Sequence, residues 1–174
     1  MPRENKSKDT IISCFVRLIT EKGYSEVSVS DITREAKISR ITFYRNFSTK
    51  EDVISSFIQQ VVVEVQTAVS RHSAEHSLTG YFEIMFTTIA PYGDVVKELY
   101  RANMGDLILS YFNRYLFKTP LAMTGKQMDL YETRFLSGAF YNVLITWIMK
   151  GQSESAAEMA GLFSSLIVKK EFSL

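Results

Sequence analysis

Ser28-Val29-Ser30-Asp31-Ile32-Thr33-Arg34-Glu35-Ala36-Lys37-Ile38-Ser39-Arg40-Ile41-Thr42-Phe43-Tyr44-Arg45-Asn46-Phe47-Ser48-Thr49-Lys50-Glu51 holds three helix starts in twenty-four residues. A hydroxyl at a helix N-cap accepts a hydrogen bond from a backbone N–H that the first turn leaves free. Ser28 is placed to do this, and Asp31 stands three residues on, a capping box with Asp in place of the usual Glu. Ile32 and Ala36 are the buried positions of that helix. Ser39 is placed to cap a second helix over 40–47, tied down by Phe43 and Phe47. Two short capped helices joined by three or four residues make a helix-turn-helix. Ser48 or Thr49 then starts another helix, with Glu51 and Asp52 in its first turn, where negative charge suits the dipole.

Outward from this unit the pattern stays helical. Upstream, Ile11, Ile12, Phe15, Leu18 and Ile19 form one apolar stripe and predict a helix over 7–22. Gly23 is placed as a left-handed residue just past its end. Downstream, Val53, Ile54, Phe57, Ile58, Val61, Val62 and Val65 predict a long helix connecting the head to the rest. A polar bend is expected over 72–79. Further helices are expected over 81–89, stopped by Pro91-Tyr92-Gly93, then over 94–102 and 106–117. A loop at 124–125 follows, then a long apolar helix over 126–150 ended by Gly151. Ser153 is placed to cap a last helix over 154–169. The reading is all-α: a three-helix head in residues 1–50, and a helical body in 51–174.

Composition agrees with that class. The chain has 174 residues, 46% of them hydrophobic, with three prolines and eight glycines. Its net charge of +1 is unevenly spread, +4 over residues 1–50 and −3 over 51–174. A basic head on an acidic body suits a nucleic-acid partner. Cys14, the one cysteine, excludes an internal disulfide and reads as a small core residue. The start of the chain has no apolar run of signal-peptide type, and the apolar runs near residues 162–168 fall short of a membrane span. A soluble cytoplasmic protein with no membrane partner is expected. His72 and His76 are four apart, but no third ligand or metalloprotease glutamate accompanies them. With no Gly-rich phosphate loop and no nucleophile elbow, neither an enzyme, a metal nor a cofactor is expected.

The segment from Ser28 to Glu51, with Lys22-Gly23-Tyr24 before it, resembles the DNA-binding signature of the TetR family of transcriptional regulators. Two positions depart from the pattern: Lys37 stands where the turn has glycine, and Thr33 where it has alanine. The resemblance implies a homodimer that binds a double-stranded DNA operator, as a repressor released by an effector. In such a head the recognition helix enters a major groove with its N-terminal residues toward the base edges. Arg40 is placed to read a guanine, and Thr42 to touch a thymine methyl or a phosphate; Ile41 lies beside them. Tyr44, by the family resemblance, bonds a phosphate through its hydroxyl. Lys50, Ser28, Ser30 and Lys37 are expected on the DNA backbone. Ser39 and Arg45 complete the expected contact set.

The body carries weaker signals. Residues 131–151 resemble the penultimate helix of a subgroup that includes the activator of dihydroxyacetone kinase operons, which responds to a partner protein. Gly138, Val143, Ile145 and Ile148, with Met159, Leu162, Phe163 and Leu166, are expected to form a four-helix dimer interface. Tyr100, Asn103, Met104, Phe140 and Trp147 are the expected lining of an effector pocket. A small molecule and a partner protein both remain open as the effector.

Overall fold

The computed structural model describes residues 2–71, 77–116 and 128–168. His72, His76, Phe117, the 124–125 loop and the first residues of the helix expected from 126 lie outside them. No strand occurs among the described residues.

α1 (Pro2–Lys22) starts earlier than its apolar stripe, since proline is tolerated in a first helical turn. Ile11, Ile12, Phe15, Leu18 and Ile19 are all buried, while Cys14 is half-buried on the flank of the stripe. Gly23 has φ 84° but ψ 150°, so it is not the left-handed helical residue expected. The extended ψ swings the chain into a 3-10 turn, Tyr24–Glu26, and drops the Tyr24 ring into the core.

α2 (Val29–Glu35) and α3 (Arg40–Asn46) pack on α1 and on each other. Their caps are those expected. Ser28 and Asp31 form a reciprocal box, and Ser39 Oγ accepts from the Thr42 N–H at 3.1 Å. Lys37 holds the turn at φ 52°. The next helix is capped by Thr49, whose hydroxyl accepts from the Asp52 N–H at 3.1 Å. The Asp52 carboxylate accepts in return from the N–H groups of Ser48 and Thr49.

That helix, α4 (Lys50–Arg71), joins head to body. By length and composition it is apolar enough to cross a membrane. In the protein its apolar stripe, Val53, Ile54, Phe57, Ile58, Val62 and Val65, is buried, and the helix packs against α1 and the body helices. α5 (Leu78–Ile89) begins three residues before the expected start because Ser77 caps it. Pro91 sits in a 3-10 turn, Ala90–Tyr92, and Gly93 opens α6 (Gly93–Arg101). After a turn with Asn103 at φ 60°, α7 (Gly105–Tyr111) widens into a π turn, Phe112–Leu116.

α8 (Leu130–Met149) starts at a box between Asp129 and Glu132. α9 (Ala156–Val168) is capped by Ser155, which forms a box with Glu158; Ser153 instead donates to the Glu154 carboxylate. One hydrophobic core runs from Ile11 in the head to Phe163 in α9. Its centre in the body is aromatic. Phe82, Phe86, Phe140, Phe163 and Trp147 meet at centroid distances from 4.5 to 6.4 Å, mostly tilted or edge-on, as their quadrupoles favour.

Candidate nucleic-acid interface

α3 divides its side chains sharply. Phe43 is fully buried and Phe47, at the C-cap, nearly so, their rings 6.1 Å apart. At 100° per residue, Arg40, Ile41, Tyr44 and Arg45 fall within an arc of about 140° on the other side, and all four are exposed. Ile41 is 80% exposed and Tyr44 56%. A branched apolar side chain left this open at a helix tip is unexplained by packing. Arg40 does not hang free: its Nη2 donates to Ser30 Oγ on α2 at 2.6 Å. Thr42 and Ser39 share a hydroxyl hydrogen bond at 2.9 Å. Lys37, Ser28, Ser39 and Arg45 are exposed, and Ser30 is half-buried.

Around this face the head is braced by charge. The Asp31 carboxylate accepts from both the hydroxyl and the N–H of Ser28, and these bonds hold it well below the usual carboxylate range. It also pairs with Lys22 at 3.5 Å and with Arg34, while Arg17 pairs with Glu35 between α1 and α2.

Lys50, expected on the DNA backbone, is engaged within the head. Its Nζ donates to the carbonyls of Tyr24 and Val27 at 3.2 and 3.1 Å, and lies 4.2 Å from the centre of the Tyr24 ring. The adjacent Glu51 accepts from the Tyr24 hydroxyl at 2.5 Å. Burial first, and this bond second, push the tyrosine hydroxyl well above the ordinary phenol range. The same bond lowers the Glu51 carboxyl. The cluster clamps the start of α4 to the turn after α1. Residues 24 and 50–51 are too far apart in the chain for spacing to link them.

In the body, the expected pocket residues separate. Phe140 is fully buried in the aromatic centre, and Trp147 is buried with its Nε1–H spent on the Glu154 carbonyl at 2.9 Å. Tyr100 and Asn103 are exposed, and Met104 is half-buried at the α6–α7 turn. None of the five lines the apolar cavity between α4, α5, α6, α7 and α8. That cavity measures only ≈30 Å³ and is walled by Phe57, Val62, Val96, Leu99, Ile108 and Leu144 among others. The expected interface also divides. Ile145, Ile148, Met159 and Phe163 point into their own protomer's core and are buried there. Leu162 and Leu166 are exposed, and Gly138 and Val143 half-buried. Leu162 and Val143 line a groove of ≈290 Å³ between α8 and α9.

Comparison with known proteins places this geometry. The family of bacterial regulatory proteins called tetR matches residues 11–56. An uncharacterized HTH-type transcriptional regulator of Bacillus subtilis, YdeS, is 29% identical over 72% of this chain and 64% of its own length. The negative regulator of the biofilm operon icaADBC in Staphylococcus epidermidis, IcaR, is 23% identical over 53% of this chain and 51% of its own length. The chain thus spans between half and two thirds of these relatives. Among solved structures, the dihydroxyacetone kinase operon activator DhaS superposes with TM-score 0.68 at 19% identity, over 92% of this chain and 93% of its own. FadR from Bacillus subtilis, in complex with stearoyl-CoA, superposes with TM-score 0.65 at 21% identity, over 92% and 97%. These structures share the fold of head and body alike.

Proposed function

Because the chain belongs to the TetR family of bacterial transcriptional regulators, we propose that it binds a double-stranded DNA operator as a homodimer, in the cytoplasm, and represses transcription until an effector engages its body. The exposed face of α3 carries this reading: Arg40, Ile41, Tyr44 and Arg45 stand out from a helix whose opposite side is locked into the core. Lys37, Ser28 and Ser39 flank it as backbone contacts. Residues 1–50 supply the DNA grip, and 51–174 the coupling and the dimer. Two heads must reach major-groove faces roughly 34 Å apart, so a second copy is required. The outward residues of α8 and α9, Gly138, Val143, Leu162 and Leu166, are its seat. IcaR, a negative regulator, supports the sign of regulation, and the acyl-CoA bound to FadR supports a small molecule in the body.

Fluorescence anisotropy of the purified protein with DNA from its own upstream region, against scrambled DNA at two salt concentrations, tests this. Tight, selective, salt-dependent binding at two subunits or a multiple per site is expected. Equal weak binding to both duplexes overturns it. L166E is expected to yield monomers in sedimentation and to lose operator binding with the fold intact.

A second reading is favoured by the cavity. At ≈30 Å³ this apolar cavity is too narrow for a ligand of acyl-CoA size as the helices stand. An effector that is a partner protein docked on the body needs no such space. Co-purification from the native host separates the two, since a stoichiometric partner that changes DNA affinity supports the second.

A further inference from the structure

The head holds a device that reads bases, and its working parts lie on two helices. Arg40 and Ile41 are the first two residues of α3, at the end of a recognition helix that points toward base edges. An arginine fork reads the O6 and N7 of guanine through two parallel hydrogen bonds, so its value depends on the angle at which the guanidinium plane is held. Here one nitrogen of that plane is already fixed. Nη2 donates at 2.6 Å to the Oγ of Ser30, a half-buried residue in the first turn of α2. Ser30 thus has a partner within the head, beside the phosphate contact expected from the sequence. Beside it Ile41 offers a branched apolar side chain, 80% exposed. Exposure of this kind is unfavourable in water, and the major groove presents one apolar group that removes it, the thymine methyl.

We propose that Arg40 and Ile41 are the specificity-determining pair of this head, reading a guanine and a thymine in neighbouring base pairs, and that Ser30 is the positioning residue that aims the Arg40 guanidinium. Arg40 and Ile41 leave the same end of α3 about 100° apart around its axis and about 1.5 Å apart along it, so the two side chains contact separate bases within about one step of each other, successive bases being about 3.4 Å apart. The proposal rests on the DNA-binding reading above.

The test selects duplexes from a random-sequence library with the full-length protein, then measures binding to the selected duplex and to chemically altered versions. Selected half-sites are expected to share a guanine next to a thymine. Replacing that guanine by 7-deazaguanine, which lacks N7, is expected to weaken wild-type binding about tenfold and to leave R40A unaffected. Replacing the thymine by deoxyuridine, which lacks only the methyl, is expected to weaken wild type about fivefold and to leave I41A unaffected. S30A is expected to lose most of the guanine preference, S30T to keep it, and both to bind scrambled DNA like wild type with the same salt dependence. R40K, which keeps the charge but not the fork, is expected to behave like R40A on the guanine.

If R40A instead weakens selected and scrambled DNA equally and lowers the salt slope by about one, Arg40 sits on a phosphate and the proposal fails. If S30A leaves the guanine preference intact, Ser30 has no aiming role and that part fails. If selection returns no preferred sequence at all, the regulator reading fails before this one is reached.

Discussion

An ammonium bonded to two carbonyl oxygens and seated on an aromatic face has little left to offer a phosphate. Lys50 is in that position, its Nζ bonded to the carbonyls of residues 24 and 27 and lying over the Tyr24 ring. Hydrogen bonds to a charged group in a partly buried site contribute about 1.5–3 kcal/mol. K50M is therefore expected to lower unfolding free energy by about 2 kcal/mol in urea titration, while the slope of log Kd against log salt stays as in wild type. K37A is the converse: its side chain is exposed, so stability hardly changes and the slope falls by about one if Lys37 meets a phosphate. Residue type was readable at both positions, since a lysine near a recognition helix announces a positive charge. Direction was not, because the groups that capture Lys50 lie 23 and 26 positions back in the chain.

At the scale of elements, the turn between α2 and α3 sets two conformational costs against each other. Lys37 sits at φ 52°, where an L-residue with a Cβ is strained by about 1–2 kcal/mol. Glycine removes that strain but adds about 0.5–1 kcal/mol of chain entropy to be lost on folding. The strain is the larger of the two, so K37G is expected to stabilise the head by roughly 0.5 kcal/mol in denaturant titration, with the turn unchanged. This strain was visible in the sequence only through the family resemblance, which has glycine where Lys37 stands. Caps served less well at the far end. Ser153 and Ser155 both stand before α9, and only Ser155 has its glutamate, Glu158, three residues on. The dimer face was misread for a related reason. α8 is apolar on several sides, and periodicity identifies an apolar face without saying whether its own core or a second subunit covers it. Ile145 and Ile148 proved to be buried in the protomer's own core.

The whole molecule has one continuous core, so local changes in the body register in global stability. Tyr81 is deeply buried in it, and burial raises its hydroxyl from 10.0 to about 12. A raised phenol favours the folded state while neutral, so its contribution is complete below pH 10 and is lost as pH rises toward 12. Two pH units correspond to roughly 2.7 kcal/mol. Wild type is expected to lose stability steeply above pH 10, and Y81F less steeply, in urea titrations at pH 9 and pH 11. The small cavity under α6 and α7 lies in the same core. Val62 lines it, and isoleucine there adds one methylene, worth about 0.8 kcal/mol when buried. In a filled core that methylene costs about 1–3 kcal/mol by overpacking; beside ≈30 Å³ of empty space it has room. V62I is therefore expected to raise the melting midpoint by about 2–3 °C. A small effector that uses this cavity has to part these helices, and the added methylene resists that parting. V62I is expected to keep wild-type operator affinity and to need more effector for release. An unchanged response with the same gain in stability places the effector outside this cavity.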